Sequence, residues 1–317
     1  MLKQITFILT FILTFILTFI LIKYLEPVKL IVYKPYQVKG YLDLKSAKEF
    51  SYTSGGITKI IIKTSWHKRS AMPLQIIEVL ETTKQLNPEY ELYYFDDDEV
   101  ELFMQDFSQE IFNDYQQLVP GAFKADFFRV CCLYKYGGCY SDIGHIPLVP
   151  FDKIISGANI VLVSDYKIID LNVISINYNY SGIHNALMCT TPTHPFFKAI
   201  IDKITFNIKT KYYGENVLDI TGPLMVGKVF NCYFGNKCDF LNKNMMTFGT
   251  TNYNCDKCRV KILKFTRDIF SFKDTFFFKD LNTKIIQTKF DDYYKIMYYS
   301  KKIPRYDELW KAKKVYK

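Results

Sequence analysis

The stretch from Pro120 to Asp142 constrains the fold more than any other part of the chain. Phe123, Phe127, Val130, Leu133 and Tyr134 recur at helical spacing. Pro120 suits the first turn of a helix, and Gly137-Gly138 stops it, because glycine accepts the positive φ of a helix terminus. Cys139 to Ile143 then reads as a short strand carrying Asp142 at its end. Similar units lie on either side. Ile57 to Thr64 is a β-branched run that reads as a buried strand. Pro73 to Leu86 places Leu74, Ile77, Leu80 and Thr83 on one helical face, and Asn87-Pro88 ends it. Tyr90 to Phe95 alternates like a strand, and Ile160 to Ser164 and Leu171 to Ile176 are further strand candidates. Strand, helix, strand, helix, strand predicts an α/β sheet with ligands at the strand ends. From about Asn231 onward the chain is richer in Asn, Lys and Phe, and its periodicity gives no topology.

The N-terminus carries an uncharged Phe-Ile-Leu-Thr run from Ile5 to Ile22. Its length is near the minimum for a helical membrane span, at roughly 1.5 Å per residue. The threonine hydroxyls can bond to carbonyls one turn back, which makes them tolerable in lipid. A cleaved signal peptide would end in small residues, whereas Lys23-Tyr24-Leu25-Glu26 follows. The expectation is therefore an uncleaved anchor over 5–22 after a short tail at 1–4, with a stem over 23–55. The chain is then a single-pass membrane protein of type II, Golgi- or ER-like, with its main domain luminal.

Aromatic content of 17%, with only 14 Gly and 11 Pro among 317 residues, excludes a disordered chain on composition. The net charge of +9 suits either a general attraction for anionic ligands or a solvated basic surface with no specific partner. The lysines are dispersed up to the tail 301–317, so a nucleic-acid partner is not expected.

Asp126 and Arg129 are three apart and share a helix face. Alone, they make no more than a surface ion pair worth a few tenths of a kcal/mol, on the order of other exposed pairs. Their position just before the glycine turn and Asp142 changes that. A carboxylate there accepts hydrogen bonds from sugar hydroxyls, a guanidinium donates in a fork to hydroxyls or phosphate, and Asp142 suits a hard cation beside a diphosphate.

Ala125-Asp126-Phe127-Phe128-Arg129, Tyr136-Gly137-Gly138-Cys139-Tyr140 and Asp142 resemble the signature of glycosyltransferase family 32, the DXD-containing sugar-binding group with the α-1,6-mannosyltransferases. Ile57-Thr58-Lys59-Ile60-Ile61 looks like the family's opening strand. Asn87-Pro88-Glu89-Tyr90 with Phe95-Asp96-Asp97 resembles its next block. Asn185 with Pro192-Thr193-His194-Pro195, then Thr221-Gly222-Pro223, are similar to later blocks, in the family's order over about 57–225. The resemblance implies a GT-A domain, a Rossmann-like α/β sandwich, over 56–232, with 233–317 as an extension. It implies a hexosyltransferase that moves a hexose from a GDP- or UDP-sugar to a glycan or lipid acceptor with retention, usually with Mn²⁺ (or Mg²⁺). By matched position Asp126, Arg129 and Asp142 are catalytic. Ile61 and Tyr140 join them in holding the nucleotide sugar, and Asp142 and His145 are the metal ligands.

The chain departs from that pattern where the second acid of Asp-x-Asp should stand: it reads Asp142-Ile143-Gly144-His145. Three readings stay open. His145 substitutes, given a turn at Gly144; another acid such as Asp165 substitutes; or binding is metal-independent or lost. A separate alternative is a catalytically degenerate relative that binds sugar or protein. Ile62 also stands where the family has His, followed by Lys63.

Cys131, Cys132, Cys139 and Cys189 sit in apolar stretches and read as buried thiols. Cys232, Cys238, Cys255 and Cys258 suit two disulfides, a structural zinc or free thiols. Asp96-Asp97-Asp98 reads as a solvated strand end, His194 as a packing residue, and Asn179-Tyr180-Ser181 is a glycosylation sequon.

Overall fold

Five buried residues, Ile60 to Thr64, form the strand β1 around which the sheet is ordered. A computed structural model describes residues 38–46, 50–168, 182–234, 251–255, 258–268, 275–280, 283–299 and 304–317. Helix α1 (Tyr41–Ser46) precedes β1. Helix α2 (Leu74–Leu86) leads to β2 (Glu91–Phe95). Helices α3 (Asp97–Phe107), α4 (Gln109–Gln117) and α5 (Gly121–Tyr136) lead to β3 (Gly138–Ser141). Then come β4 (Ile146–Pro147), α6 (Phe151–Ile155), β5 (Ile160–Ile168) and β6 (Ile183–Thr190). Helices α7 (Pro195–Lys209) and α8 (Pro223–Phe234) follow. Strands β7 (Thr251–Cys255), β8 (Cys258–Asp268), β9 (Thr275–Asp280) and β10 (Thr283–Gln287) precede a last helix, α9 (Tyr306–Lys311).

The described strands make one mixed sheet in the order β2-β1-β3-β6-β5-β8-β9-β10-β4, with β7 also on β8. β1 runs parallel to β2, pairing Ile60 with Glu91 through to Thr64 with Phe95. It is also parallel to β3, pairing Ile61 with Cys139. β6 is antiparallel to β3 and β5, and β5 is parallel to β8. This mixed α/β layering is consistent with a GT-A fold. The C-terminal ends of the three parallel strands, at Thr64, Phe95 and Ser141, open on the same edge of the sheet.

The glycine turn forms for the steric reason that the sequence suggests. Gly137 has φ +66° and Gly138 φ +85°. A Cβ on Gly138 would lie 2.8 Å from the Ile60 carbonyl oxygen, and one on Gly137 2.7 Å from Pro192. Helix α5 is buried on more than one face, because it lies between the sheet and α7. Helix α2 differs from expectation: it buries Ile76, Val79, Leu80 and Thr83, while Leu74 in its first turn is exposed.

The stretch after Asn231 supplies β7 to β10 to the same sheet, and residues Val38–Lys317 form one unit. The chain's end is tied back to the α4–α5 junction. Val119 N donates to Val315 O at 2.9 Å and Lys317 N to Gln117 O at 2.8 Å. The Trp310 indole donates to Tyr213 O at 2.8 Å. Those contacts seat α9 beside α5, where Phe123 meets Tyr306 with ring centroids 6.1 Å apart.

The expected anchor, Ile5 to Ile22, lies outside the described residues, as do the strand expected at 171–176, the sequon at 179–181 and Cys238. Among the described residues no helix is long and apolar enough to cross a membrane. The longest of them, α5, has 16 residues. That is roughly 24 Å, against a hydrocarbon core of about 30 Å, and it carries Asp126 and Arg129. The expectation of a transmembrane helix, and with it membrane partnership and an endomembrane, single-pass location, is corrected accordingly: the fold shown is an α/β domain with no spanning helix among its described residues.

Candidate active site

Asp126 projects from the second turn of α5 into a cavity of about 530 Å³. Its two oxygens are held by side chains from distant segments. Asn185 Nδ2, on β6, donates to Oδ1 at 2.8 Å, and Thr221 Oγ1, just before α8, donates to Oδ2 at 2.8 Å. Burial pushes its carboxyl up to about 6, although Arg129 and the two hydrogen bonds favour the anion.

Arg129, 6% exposed, lies one turn further along α5. Its Nη2 is 3.4 Å from Asp126 Oδ1 and its Nη1 is 3.3 Å from Asp142 Oδ1. Nη1 also donates to the Asn185 carbonyl at 2.6 Å, and Nε to Ala125 O at 3.2 Å. The guanidinium stacks over the Tyr140 ring at 4.4 Å. Burial opposes its charge, but Tyr140, Asp142 and Asp126 outweigh that and hold it firmly cationic. The pair is thus no solvated i,i+3 bridge but part of a locked network.

Asp142 follows β3 directly. Its Oδ1 accepts from Tyr140 OH at 2.9 Å, and its amide donates to Ala186 O at 2.9 Å. The carboxylate lines the cavity, a third exposed, and Oδ2 faces no partner at hydrogen-bond distance among the described residues. Burial pushes the Tyr140 phenol well above its ordinary range, so it stays a neutral donor.

Beneath this loop lies Lys63, fully buried in β1. Its ammonium donates to the carbonyls of Asp142 and His145, both at 3.0 Å, and reaches Ser141 Oγ at 3.4 Å. Burial lowers it to about 7, with Asp142 opposing that shift. His145 N donates to Asp142 O at 2.9 Å, which closes the turn at Gly144. The His145 ring lines the cavity, sets Nδ1 3.2 Å from Ser141 Oγ and meets Phe278 edge-on at 4.9 Å. Burial and Lys63 lower its pKa well below the ordinary value and keep it neutral.

A further part of the lining comes from the chain after β10. Tyr293, Tyr298 and Tyr306 supply it together with Lys289 and Arg305. Burial raises the Tyr293 phenol well above its usual range. The Lys289 ammonium lies over the Tyr294 ring at 4.2 Å and bonds to its hydroxyl. Tyr293 also explains the missing acid: a Cβ on Gly144 would stand 2.6 Å from Tyr293 Cε2 and 3.0 Å from Thr288 O.

Of the residues singled out from sequence, Asp126, Arg129, Asp142 and His145 share this cavity. Tyr140 lies behind it, stacked on Arg129. Ile61 is fully buried in β1 and does not line the cavity. Asp165 has no described side chain. Asp96 is the N-cap of α3 in a capping box with Glu99, so the acidic triplet opens a helix rather than fraying from a strand. His194 caps α7, its Nδ1 accepting from Phe196 N at 3.1 Å. Cys131, Cys132, Cys139 and Cys189 are buried thiols, as expected. Sequence reasoning passed over Lys289, Tyr293 and Arg305, for which no local pattern existed, and His184, which lines the cavity from β6.

The family pattern implies a divalent cation held by two acids, although one carboxylate with phosphate oxygens and water can also hold such an ion. Asp142 supplies one carboxylate, Oδ1 of which is already engaged. Gly144 supplies none, and the space for a side chain there holds the Tyr293 ring. Among the described residues no group of three or more His, Cys, Asp or Glu is placed to hold a metal. The residues present do not fit a two-carboxylate cation site.

Residues 73–161 match the family described as the glycosyltransferase sugar-binding region containing a DXD motif. That stretch is therefore similar to a family 32-like glycosyltransferase domain of the DXD type. It is 30% identical over 95 residues to the initiation-specific alpha-1,6-mannosyltransferase of Candida albicans, a match covering 29% of this chain and 25% of that protein. The chain thus spans about a quarter of the curated relative's length. The solved structure of the PaToxG glycosyltransferase is similar with a TM-score of 0.42 and 18% identity, covering 55% of this chain and 69% of that one.

Proposed function

We propose that the chain is a hexosyltransferase that moves a hexose from a UDP- or GDP-sugar to a hydroxyl of a glycan or lipid acceptor, with retention of configuration. The observation that carries this reading is the Asp126–Arg129–Asp142 network at the base of a cavity of about 530 Å³, held by Asn185 and Thr221. A cavity of that size falls within the usual range for small-molecule sites, about 300–1,000 Å³. Asp142 Oδ2 accepts from a sugar or ribose hydroxyl. Arg129, fixed before the donor arrives, stabilises negative charge as the bond from the anomeric carbon to the diphosphate breaks and the bond to the acceptor oxygen forms, the acceptor's hydroxyl proton passing to the departing phosphate oxygen. Its rigidity matters because a preorganised dipole or charge needs no rearrangement during the reaction.

The test is release of UDP or GDP by the full chain from a panel of nucleotide sugars, with Mn²⁺ and with EDTA. Release that is abolished by Arg129→Ala supports the reading. Failure to bind or cleave any of the panel under either condition sinks it. Gly144 favours one second reading, a sugar-binding relative without turnover, which would bind a donor and release nothing.

A further inference from the structure

We infer that Lys63 is a positioning residue for the sugar-nucleotide site: its buried ammonium pins the turn from Asp142 to His145 and so aims the Asp142 carboxylate into the cavity. The inference rests on the sugar-nucleotide reading above. It adds to that site a residue that is fully buried and does not line the cavity.

The register of the sheet brings Lys63 there. β1 and β3 run parallel with Ile62 opposite Tyr140, which sets Lys63 level with Ser141, the last residue before the turn. From that point its long side chain reaches beneath the turn. Nζ donates to Asp142 O and to His145 O at 3.0 Å each, and lies 3.4 Å from Ser141 Oγ. Those carbonyls are the first and the last of the turn. Asp142 is therefore held on both sides of its Cα. Its amide donates to Ala186 O at 2.9 Å, and its carbonyl accepts from Lys63. With that backbone fixed, Tyr140 and Arg129 hold Oδ1, and the carboxylate is presented to the cavity.

The chemistry of the pin points to the site rather than to the core. Taking an ammonium out of water is expensive, and a carboxylate partner is the usual compensation. The three oxygens that Lys63 meets are two carbonyls and a hydroxyl. A turn that only had to close already has a less costly bond, from His145 N to Asp142 O at 2.9 Å. What the ammonium adds is two bonds that converge on one point and fix both ends of the turn. Costly departures of this kind are expected where function depends on placement. A misplacement of about 1 Å at a reacting centre can cost on the order of a hundredfold in rate.

The test is a double-mutant cycle on the full chain, read both as turnover of UDP-glucose and GDP-mannose and as their binding by calorimetry. Lys63→Met keeps the stem and removes the donor. It should lower kcat/KM about tenfold or more and raise the donor Kd about threefold or more, while a denaturation curve shows it folded at the assay pH. In an Asp142→Asn background the same substitution should change either quantity less than about twofold, because the group that Lys63 positions is already altered. A purely structural part would lower both backgrounds alike. Lys63→Gln, which keeps an N–H donor on a shorter stem, should lose less than Lys63→Met, and it takes that variant's place in the cycle if Lys63→Met does not fold. Equal losses in the two backgrounds, or a folded variant with native kcat/KM and Kd, overturn the inference and leave the sugar-nucleotide reading intact. A native chain that neither binds nor cleaves either donor removes that reading for these donors and the inference with it.

Discussion

Asn185 grips both members of the Asp126–Arg129 pair: its amide donates to Asp126 Oδ1 at 2.8 Å while its carbonyl accepts from Arg129 Nη1 at 2.6 Å. It stands 59 residues from Asp126 in sequence, on β6, and is itself 6% exposed. A strand residue therefore sets the rotamers of two helix residues.

Asn185→Ala removes the amide and keeps the carbonyl. Asp126 then loses one of its two neutral donors, and its Oδ1 is left with Arg129 alone. The variant should lose about 1–2 kcal/mol of stability, with a drop in kcat for sugar-nucleotide turnover of about tenfold or more. Chemical denaturation and steady-state kinetics measure the two. Unchanged kcat at reduced stability would assign Asn185 a purely structural part.

Arg129→Met leaves Asp126 and Asp142 facing one another across the space that the guanidinium filled. Removing one partner of a buried charge network costs about 3–5 kcal/mol. The loss should shrink when Asp126→Asn is added, because the carboxylate that needed Arg129 is then neutral. A double-mutant cycle by urea denaturation checks this. Additive losses would show that the 3.4 Å contact carries no coupling.

Asp126 should also leave a mark on the pH dependence of stability. Its carboxyl is raised to about 6 in the fold. The folded state therefore holds the proton more tightly than the unfolded chain. That contribution is fully present below about pH 4 and is lost as pH rises through 6. Relative to Asp126→Asn, the native chain should lose roughly 2 kcal/mol between about pH 4 and pH 7. Parallel pH profiles for the two proteins would refute the raised value.

Lys63 works in the opposite sense. Burial lowers its ammonium to about 7. The folded state holds this proton less tightly than the unfolded chain, so stability present above the unfolded value is lost as pH falls toward 7. Relative to Lys63→Met, the native chain should lose about 3 kcal/mol between about pH 9.5 and pH 7. Below that the two profiles should run parallel.

Gly144→Asp tests the space that Tyr293 occupies. The new side chain must displace the ring or shift the backbone at Thr288, at a cost of about 1–3 kcal/mol. Adding Tyr293→Ala should recover most of that loss in thermal melts, since the nearest contact at 2.6 Å is then gone. A double variant no more stable than the sum of the two single effects would place the obstruction elsewhere.

Much of this site was legible in local pattern. Helical spacing from Phe123 to Leu133, then Gly137-Gly138, defined a helix, a turn and a strand, because those are properties of neighbouring residues. The ordered motifs put Asp126, Arg129 and Asp142 forward together, and the cavity holds all three. Local pattern failed where partners are remote. Leu74 fits a helical stripe yet lies exposed, since the packing surface and not the period decides which face is covered. The strands after residue 250 carry no clear alternation, and the register between β8 and its neighbours β5, β7 and β9 organises them.

The sequence by itself determined the α/β order and the glycine turn, which follow from steric limits within a few residues, and it put the acid, arginine and aspartate forward only through their resemblance to a family pattern. Tertiary structure decided what surrounds them. It brought Asn185 and Thr221 to Asp126, slid Lys63 under the Asp142 loop and set the Tyr293 ring beside Gly144. Those contacts join residues tens to more than a hundred positions apart, and only the closing of the sheet and the return of the C-terminal segment place them within reach.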